Sequence, residues 1–311
     1  MCQLASRGFV AVLKLTLLGA VIATAMFATD IAPRMLLLDV AAVAHDLIAV
    51  GERGVILRSS DAARSWQSIA APTTATLTAL NFAPDAQHGW IVGHDALILS
   101  SSDGGRSWKE QWQGENLSDS FLDVRAFDAR HVIAVGAYGL FLATDDGGKT
   151  WARRKIIEED VHLNRLTRGP GGTLYLAGEH GTLLRSIDNG AKWSRIASPY
   201  DGSFYGILPL DRRTLIAHGL RGRLFRSTDD GATWEPIVTP HPVLLATALQ
   251  LQSNTLLLAG QSRGFLVSRD YGHKFIAWDT PLTTAVAKII ELPDGSVLAV
   301  GEAGATLLPK P

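Results

Sequence analysis

The chain has 311 residues, 47% of them hydrophobic and 19% charged, a globular composition rather than a disordered or collagen-like one. A formal charge of −1 leaves no basic excess for nucleic acid and no acidic tail for a cationic partner. The one cysteine, Cys2, lies in the opening segment, so a chain trimmed of it has no disulfide, no thiolate metal site and no cysteine nucleophile.

Residues 1–28 read apart from the rest. Arg7 precedes an apolar run from Phe9 to Ala28, and Ala23-Thr24-Ala25 is a small-x-small cleavage candidate. This order predicts a secretory signal. The run also reaches the roughly 20 residues of a membrane span, so an uncleaved anchor is the alternative, although Lys14 interrupts it. Either way the protein is expected outside the cytoplasm, in a periplasm or on a lumenal side. No lipobox follows the run, which argues against a lipoprotein. Residues 29–311 are expected to form one domain.

Residues 76–112 show what that domain is made of. Thr78 to Phe82 alternates weakly and Pro84-Asp85 turns; Gly89 to Gly93 is apolar and His94-Asp95 polar. Ala96 to Ser100 is apolar again, Ser101 to Trp108 turns, and Trp108 to Trp112 alternates. Four short strands result, with no helical period.

The turn Ser-Ser-Asp103-Gly-Gly-Arg-Ser-Trp108 is one of six. Its acids are Asp61, Asp103, Asp146, Asp188, Asp229 and Asp270, and its aromatics Trp66, Trp108, Trp151, Trp193, Trp234 and Phe275. Four strands repeating at about 42 residues mark the blades of a β-propeller. A second marker counts more blades: apolar residues run into a glycine at 51, 93, 136, 178, 219, 260 and 301. An all-β, seven-bladed propeller of four-stranded antiparallel blades is therefore expected. Its last unit stops short at Pro309-Lys310-Pro311, and a strand from residues 28 to 35 is expected to complete it and close an edge that would invite aggregation.

Each box is expected between the third and fourth strands. There the acid accepts turn N–H groups, the glycine two residues on takes a backbone angle other side chains disfavour, and the tryptophan packs across the gap to the next blade. Ala63 replaces that glycine in the first copy and Phe275 the tryptophan in the sixth. These are structural duties, not catalytic ones.

The Ser/Thr-x-Asp-x-Gly-x-Thr-Trp pattern resembles the Asp-box, or bacterial neuraminidase repeat. The longer unit at Gly51–Trp66, Gly178–Trp193 and Gly219–Trp234 resembles the photosystem II stability/assembly factor family, over residues 36 to 308. The resemblance implies a seven-bladed, non-catalytic, exported protein that helps a membrane protein complex assemble. In photosynthetic members the partner is a newly made reaction-centre subunit, bound with the help of an arginine cluster. Arg58, Arg185 and Arg226 hold equivalent third-strand positions here, while Ser100, Leu142 or Ala143, and Val267 do not continue the series.

The turns between second and third strands emerge opposite the boxes, where a rigid scaffold presents loops for binding. The candidate partner-binding residues are Glu52, Arg53, His94, Asp95, Tyr138, Glu179, His180, Arg221 and Arg263. The bland alternative is a ring of solvated turns. His94, Glu179 and His180 do not show the spacing of a metal site. Gly148-Lys149-Thr150 lacks the earlier glycine of a phosphate loop, since Ala143 stands there, and so gives no nucleotide site. The rival function is an Asp-box glycosidase such as a sialidase, or a glycan-binding propeller. In the enzyme version Tyr138 and Glu179 would be nucleophile and partner, with Arg53, Arg221 and Arg263 around them, since guanidinium binds carboxylate bidentately. The N-terminal Arg-Ile/Leu-Pro motif of sialidases is missing; Pro33-Arg34-Met35 reverses it. The expected reading is a monomeric binding scaffold for a membrane protein, without metal or cofactor.

Overall fold

The computed structural model describes residues 35–311, so the signal or anchor expected over residues 1–28 lies outside the described residues. Seven antiparallel sheets follow one another along the chain. Blade 1 is Leu37–Val43, Asp46–Gly51, Ile56–Ser59 and Gln67–Ile69; blade 2 is Leu77–Phe82, Gly89–Gly93, Leu97–Ser101 and Lys109–Gln113. Blade 3 is Phe121–Ala126, Val132–Gly136, Phe141–Thr144 and Ala152–Arg153; blade 4 is Leu163–Arg168, Leu174–Gly178, Leu183–Ser186 and Ser194–Arg195. Blade 5 is Phe204–Pro209, Leu215–Gly219, Leu224–Ser227 and Glu235–Pro236; blade 6 is Leu245–Gln250, Leu256–Gly260, Leu266–Ser268 and Ile276–Ala277. Blade 7 has three strands among the described residues, Val286–Glu291, Val297–Gly301 and Gly304–Leu308. The strand expected to complete it, residues 28 to 35, lies outside the described residues except for Met35, which is not in a strand.

First strands pack against first strands around the ring, and that of blade 7 meets that of blade 1. The second strands are buried along their whole length or nearly so, as expected of strands covered on both faces. The apolar core is therefore divided into layers between blades. One such layer joins Leu292, Leu298 and Val300 of blade 7 to Leu37, Val40 and Leu57 of blade 1 and closes the ring.

The seven marker glycines have one cause. Every first strand carries a bulge near its start, as between Leu37 and Asp39 or Phe121 and Asp123. The bulge pushes the preceding carbonyl against the end of the second strand. A Cβ on Gly51 would lie 2.0 Å from the Leu36 oxygen, one on Gly136 2.1 Å from that of Ser120, and one on Gly260 1.9 Å from that of Leu244. The residue after each glycine donates its N–H to the same oxygen, as Glu52 does to Leu36 at 3.1 Å and Ala137 to Ser120 at 2.9 Å.

The boxes lie between third and fourth strands. In the second, Asp103 accepts the N–H of Arg106 and Ser107 at 2.9 and 3.0 Å and the hydroxyls of Ser101 and Ser107 at 2.8 and 2.6 Å. Ser101 in turn accepts the Gly105 N–H at 2.9 Å. The pattern recurs at Asp61, Asp146 and Asp229, and without the second hydroxyl at Asp188 and Asp270, where Lys192 and Lys274 replace Ser or Thr. These bonds hold the carboxyls low: Asp61 and Asp229 fall to about 2, led by Ser65 and Thr233. At Asp103 burial pushes upward, yet the Ser107, Ser101 and Arg106 bonds together bring the group to about 2.

The box aromatics do cross a gap between blades, but it is the gap to the preceding blade, not the next. Trp66 packs with blade 7, Trp108 with blade 1, Trp151 with blade 2, Trp193 with blade 3 and Trp234 with blade 4. Trp193 meets Phe141 edge-on at 6.1 Å, and the Trp234 indole N–H donates to the Ala197 carbonyl at 2.8 Å. The direction follows from the box itself. The glycine two residues after the acid lies over an isoleucine of the preceding blade in several copies: Gly190 over Ile133, Gly272 over Ile216. The chain then carries the aromatic on toward the same side.

Candidate functional site

The second-to-third turns face away from the boxes. They hydrogen-bond to the links between blades, as Gly54 N–H does to Ala75 O at 2.9 Å and Gly139 N–H to Val161 O at 2.7 Å. The box turns bond instead to the first-to-second turns, as Gly147 N–H does to Arg130 O at 2.9 Å. In blades 1, 3 and 5 the turn has two successive left-handed residues: Arg53 and Gly54, Tyr138 and Gly139, Arg221 and Gly222. Closure runs from the fourth residue to the first, Val55 N–H to Glu52 O at 3.1 Å. This is a type I′ hairpin turn, whose backbone twist matches that of its strands. The first left-handed position is the tip, and the structure places Arg53, Asp95, Tyr138, His180 and Arg221 there; Arg263 has the same backbone sign. Paying that conformational cost with non-glycine residues projects side chains from the tips.

The nine candidates do not behave alike. Glu52 and Glu179 are half-buried and accept backbone N–H groups of the blade links, from Leu36 at 3.3 Å and His162 at 3.0 Å. Tyr138 is 63% exposed and meets His162 edge-on at 5.0 Å, while His162 Nδ1 lies 3.6 Å from Glu179 Oε1. Blades 3 and 4 thus bring Tyr138 and Glu179 together around His162, the last residue of the link between those blades. His94 and Asp95 are exposed on blade 2, two blades from His180. Arg53, Arg221 and Arg263 are exposed and make no ion pair or side-chain hydrogen bond among the described residues. They sit on blades 1, 5 and 6, so one arc of the face, interrupted only by blade 7, carries free guanidinium groups. Acid, imidazole and phenol occupy the other arc.

The third-strand arginines have different employment. Arg58 pairs with Asp46 at 2.5 Å, Arg185 with Asp230, and the buried Arg226 donates to the Tyr271 carbonyl at 3.3 Å. Asp230 and Tyr271 belong to the boxes of the following blades, so Arg185 and Arg226 are struts between blades. Ala143 stands where the blade 3 strut would be, and a groove of about 460 Å³ lies there, lined by Phe127, Ile133, Arg154 and Arg168 among others.

The first strands line a central channel with a cavity of about 150 Å³. Around it stand Asp39, Asp123, Arg165, Gly206, Thr247 and Lys288, each the third residue of its strand. Asp39 accepts the Leu80 N–H of the next blade at 3.1 Å, and Asp123 accepts that of Leu166 at 2.7 Å. Lys288 lies 3.6 Å from Asp39 across the junction of blades 7 and 1. At Gly206 a Cβ would lie 2.5 Å from Nε2 of His218, so an imidazole from the second strand fills the place of the missing side chain. Burial holds His218 down to about 4. Neutral at ordinary pH, it donates through Nδ1 to the Leu245 carbonyl at 2.9 Å.

Comparison with known proteins adds a family to this geometry. No curated protein sequence matches the chain. Among solved structures, a YCF48 bound to a D1 peptide is similar, with 20% identity, TM-score 0.74 and 88% of this chain and 93% of that one covered. YCF48 from Cyanidioschyzon merolae follows at 16% identity, TM-score 0.72, covering 88% and 96%. An ancestral GH74 enzyme shares the fold over 88% of this chain and 44% of its own, at 15% identity and TM-score 0.71. The family model for photosynthesis system II assembly factor YCF48 matches residues 57–116 and 109–305. The chain belongs to the photosystem II assembly factor YCF48 family.

Proposed function

We propose that this protein is an exported, non-catalytic scaffold that holds an extended segment of a membrane protein during assembly or stabilisation of a complex. The observation that carries the reading is the arc of exposed Arg53, Arg221 and Arg263, without an ion pair among the described residues, on a face built of hairpin turns. Family membership supports it, and so does the solved YCF48 with its D1 peptide. The contact is reversible and multi-point: guanidinium groups take carboxylates or carbonyls of the client, and Tyr138 with His180 adds apolar and polar contact on the opposite arc. No bond is made or broken. The apolar run over residues 9–28 supports delivery across a membrane, where the propeller is either released or left tethered.

Cross-linked recovery from host membranes, with bound proteins identified by mass spectrometry, tests the reading. One membrane protein in near-equal amount, lost with the Arg53/Arg221/Arg263→Ala triple variant, is the expected result. No enriched protein, together with hydrolysis of sialosides, would transfer the site to the glycosidase reading.

A further inference from the structure

Among the described residues, the channel contains one more positive than negative group. Three cations face the cavity, Arg125, Arg165 and Lys288, against two carboxylates, Asp39 and Asp123. Both carboxylates are occupied. Asp39 accepts the N–H groups of Val40 and Leu80 at 2.9 and 3.1 Å and faces Lys288 at 3.6 Å. Asp123 accepts the Leu166 N–H at 2.7 Å and faces Arg165 at 3.4 Å. Arg125, two residues along the strand from Asp123, makes no hydrogen bond or ion pair among the described residues and is half-buried. A guanidinium cannot shed its proton on leaving water, and even a half-buried charge without a partner of its own is costly. What relieves it is an anion beside it.

We propose that the channel is a binding site for a small monocarboxylate, held by the Arg125 guanidinium. The planar fork of Arg125 matches a carboxylate bidentately. The size limit follows from the cavity: about 150 Å³ admits a molecule of about six heavy atoms, the size of benzene in an engineered cavity of that volume. The charge limit follows from Asp39 and Asp123, which face the same space and oppose a second negative charge. His218 Nε2 adds an acceptor and Thr247 a hydroxyl, so a ligand bearing a hydroxyl beside its carboxylate fits the lining. The site lies inside the ring, apart from the turn face, and does not depend on the partner reading.

Isothermal titration of the full-length protein, at constant ionic strength, tests this with acetate and glycolate against chloride, malonate and benzoate. One saturable site per chain is expected for acetate or glycolate, with malonate and benzoate weaker by about tenfold or more. Arg125→Met should lose that binding and melt no lower than the wild type, because it removes the unpaired charge and keeps the bulk. Absence of saturable acetate binding to the wild type overturns the proposal, and so does equal binding of malonate. Undiminished binding by a folded Arg125→Met protein overturns it as well. The wild-type comparisons stand even if the variant fails to fold.

Discussion

Gly136 and the carbonyl of Ser120 occupy each other's space: a Cβ on the glycine would lie 2.1 Å from that oxygen. The same approach recurs once per blade, so this contact, more than the box, sets where the inner strand of a blade meets its second strand. Its backbone angle is extended and unstrained; the glycine is there for space alone.

Gly136→Ala should therefore destabilise the propeller by about 2–3 kcal/mol through overpacking. Urea denaturation measures it, and a variant as stable as the wild type would show that the bulge can slide away.

Ala63 takes the left-handed angle, φ 67°, that glycine takes in the other five boxes. Relieving it with Ala63→Gly should raise stability by roughly 0.5–1 kcal/mol, the left-handed cost less the methyl's packing against blade 7. A fall in denaturation midpoint would mean that the methyl contact outweighs the strain.

Asp103→Ala strips four hydrogen bonds from its turn and should cost about 1–3 kcal/mol. Trp108→Ala opens the layer between blades 1 and 2 and should cost about 3 kcal/mol or more. Calorimetric melting checks both, and client binding by the folded fraction should be unchanged.

The box carboxylates also set an acid limit. Asp61, Asp103 and Asp229 lie at about 2 in the folded protein, below the roughly 3.9 of an unfolded chain. A depressed carboxylate contributes stability that is complete above the unfolded value and lost as pH falls through the folded one. Melting temperature should hold above pH 4 and drop between about 4 and 2, with a shallower drop in Asp103→Asn. A steep loss above pH 5 would place the sensitive groups elsewhere.

Repetition made the fold legible in the sequence: the box and the marker glycine recur with the strands between them, and seven blades follow. What could not be read was direction. Box spacing says that Trp108 crosses between blades but not toward which side, and that depends on which neighbouring blade the box glycine closes upon. The turn face was legible as Arg53, Tyr138 and Arg221, because a Gly-x-x-Gly step between two apolar runs announces a hairpin. The partnership of Tyr138 with His162 was not, since it joins a turn of blade 3 to the link before blade 4. The channel was least legible. Asp39, Asp123, Arg165 and Lys288 are scattered over 250 residues of sequence and meet only because each is the third residue of an inner strand. Arg185 and Arg226 mark the opposite case: their recurrence was plain, yet their charges are used up between blades.

On the proposed function, the arginine arc opposite the boxes holds a membrane-protein client. Cross-linked recovery should yield one membrane protein with the wild type and lose it with the Arg53/Arg221/Arg263→Ala variant at an unchanged melting temperature. Undiminished recovery by that variant would contradict it and move the binding surface off this face.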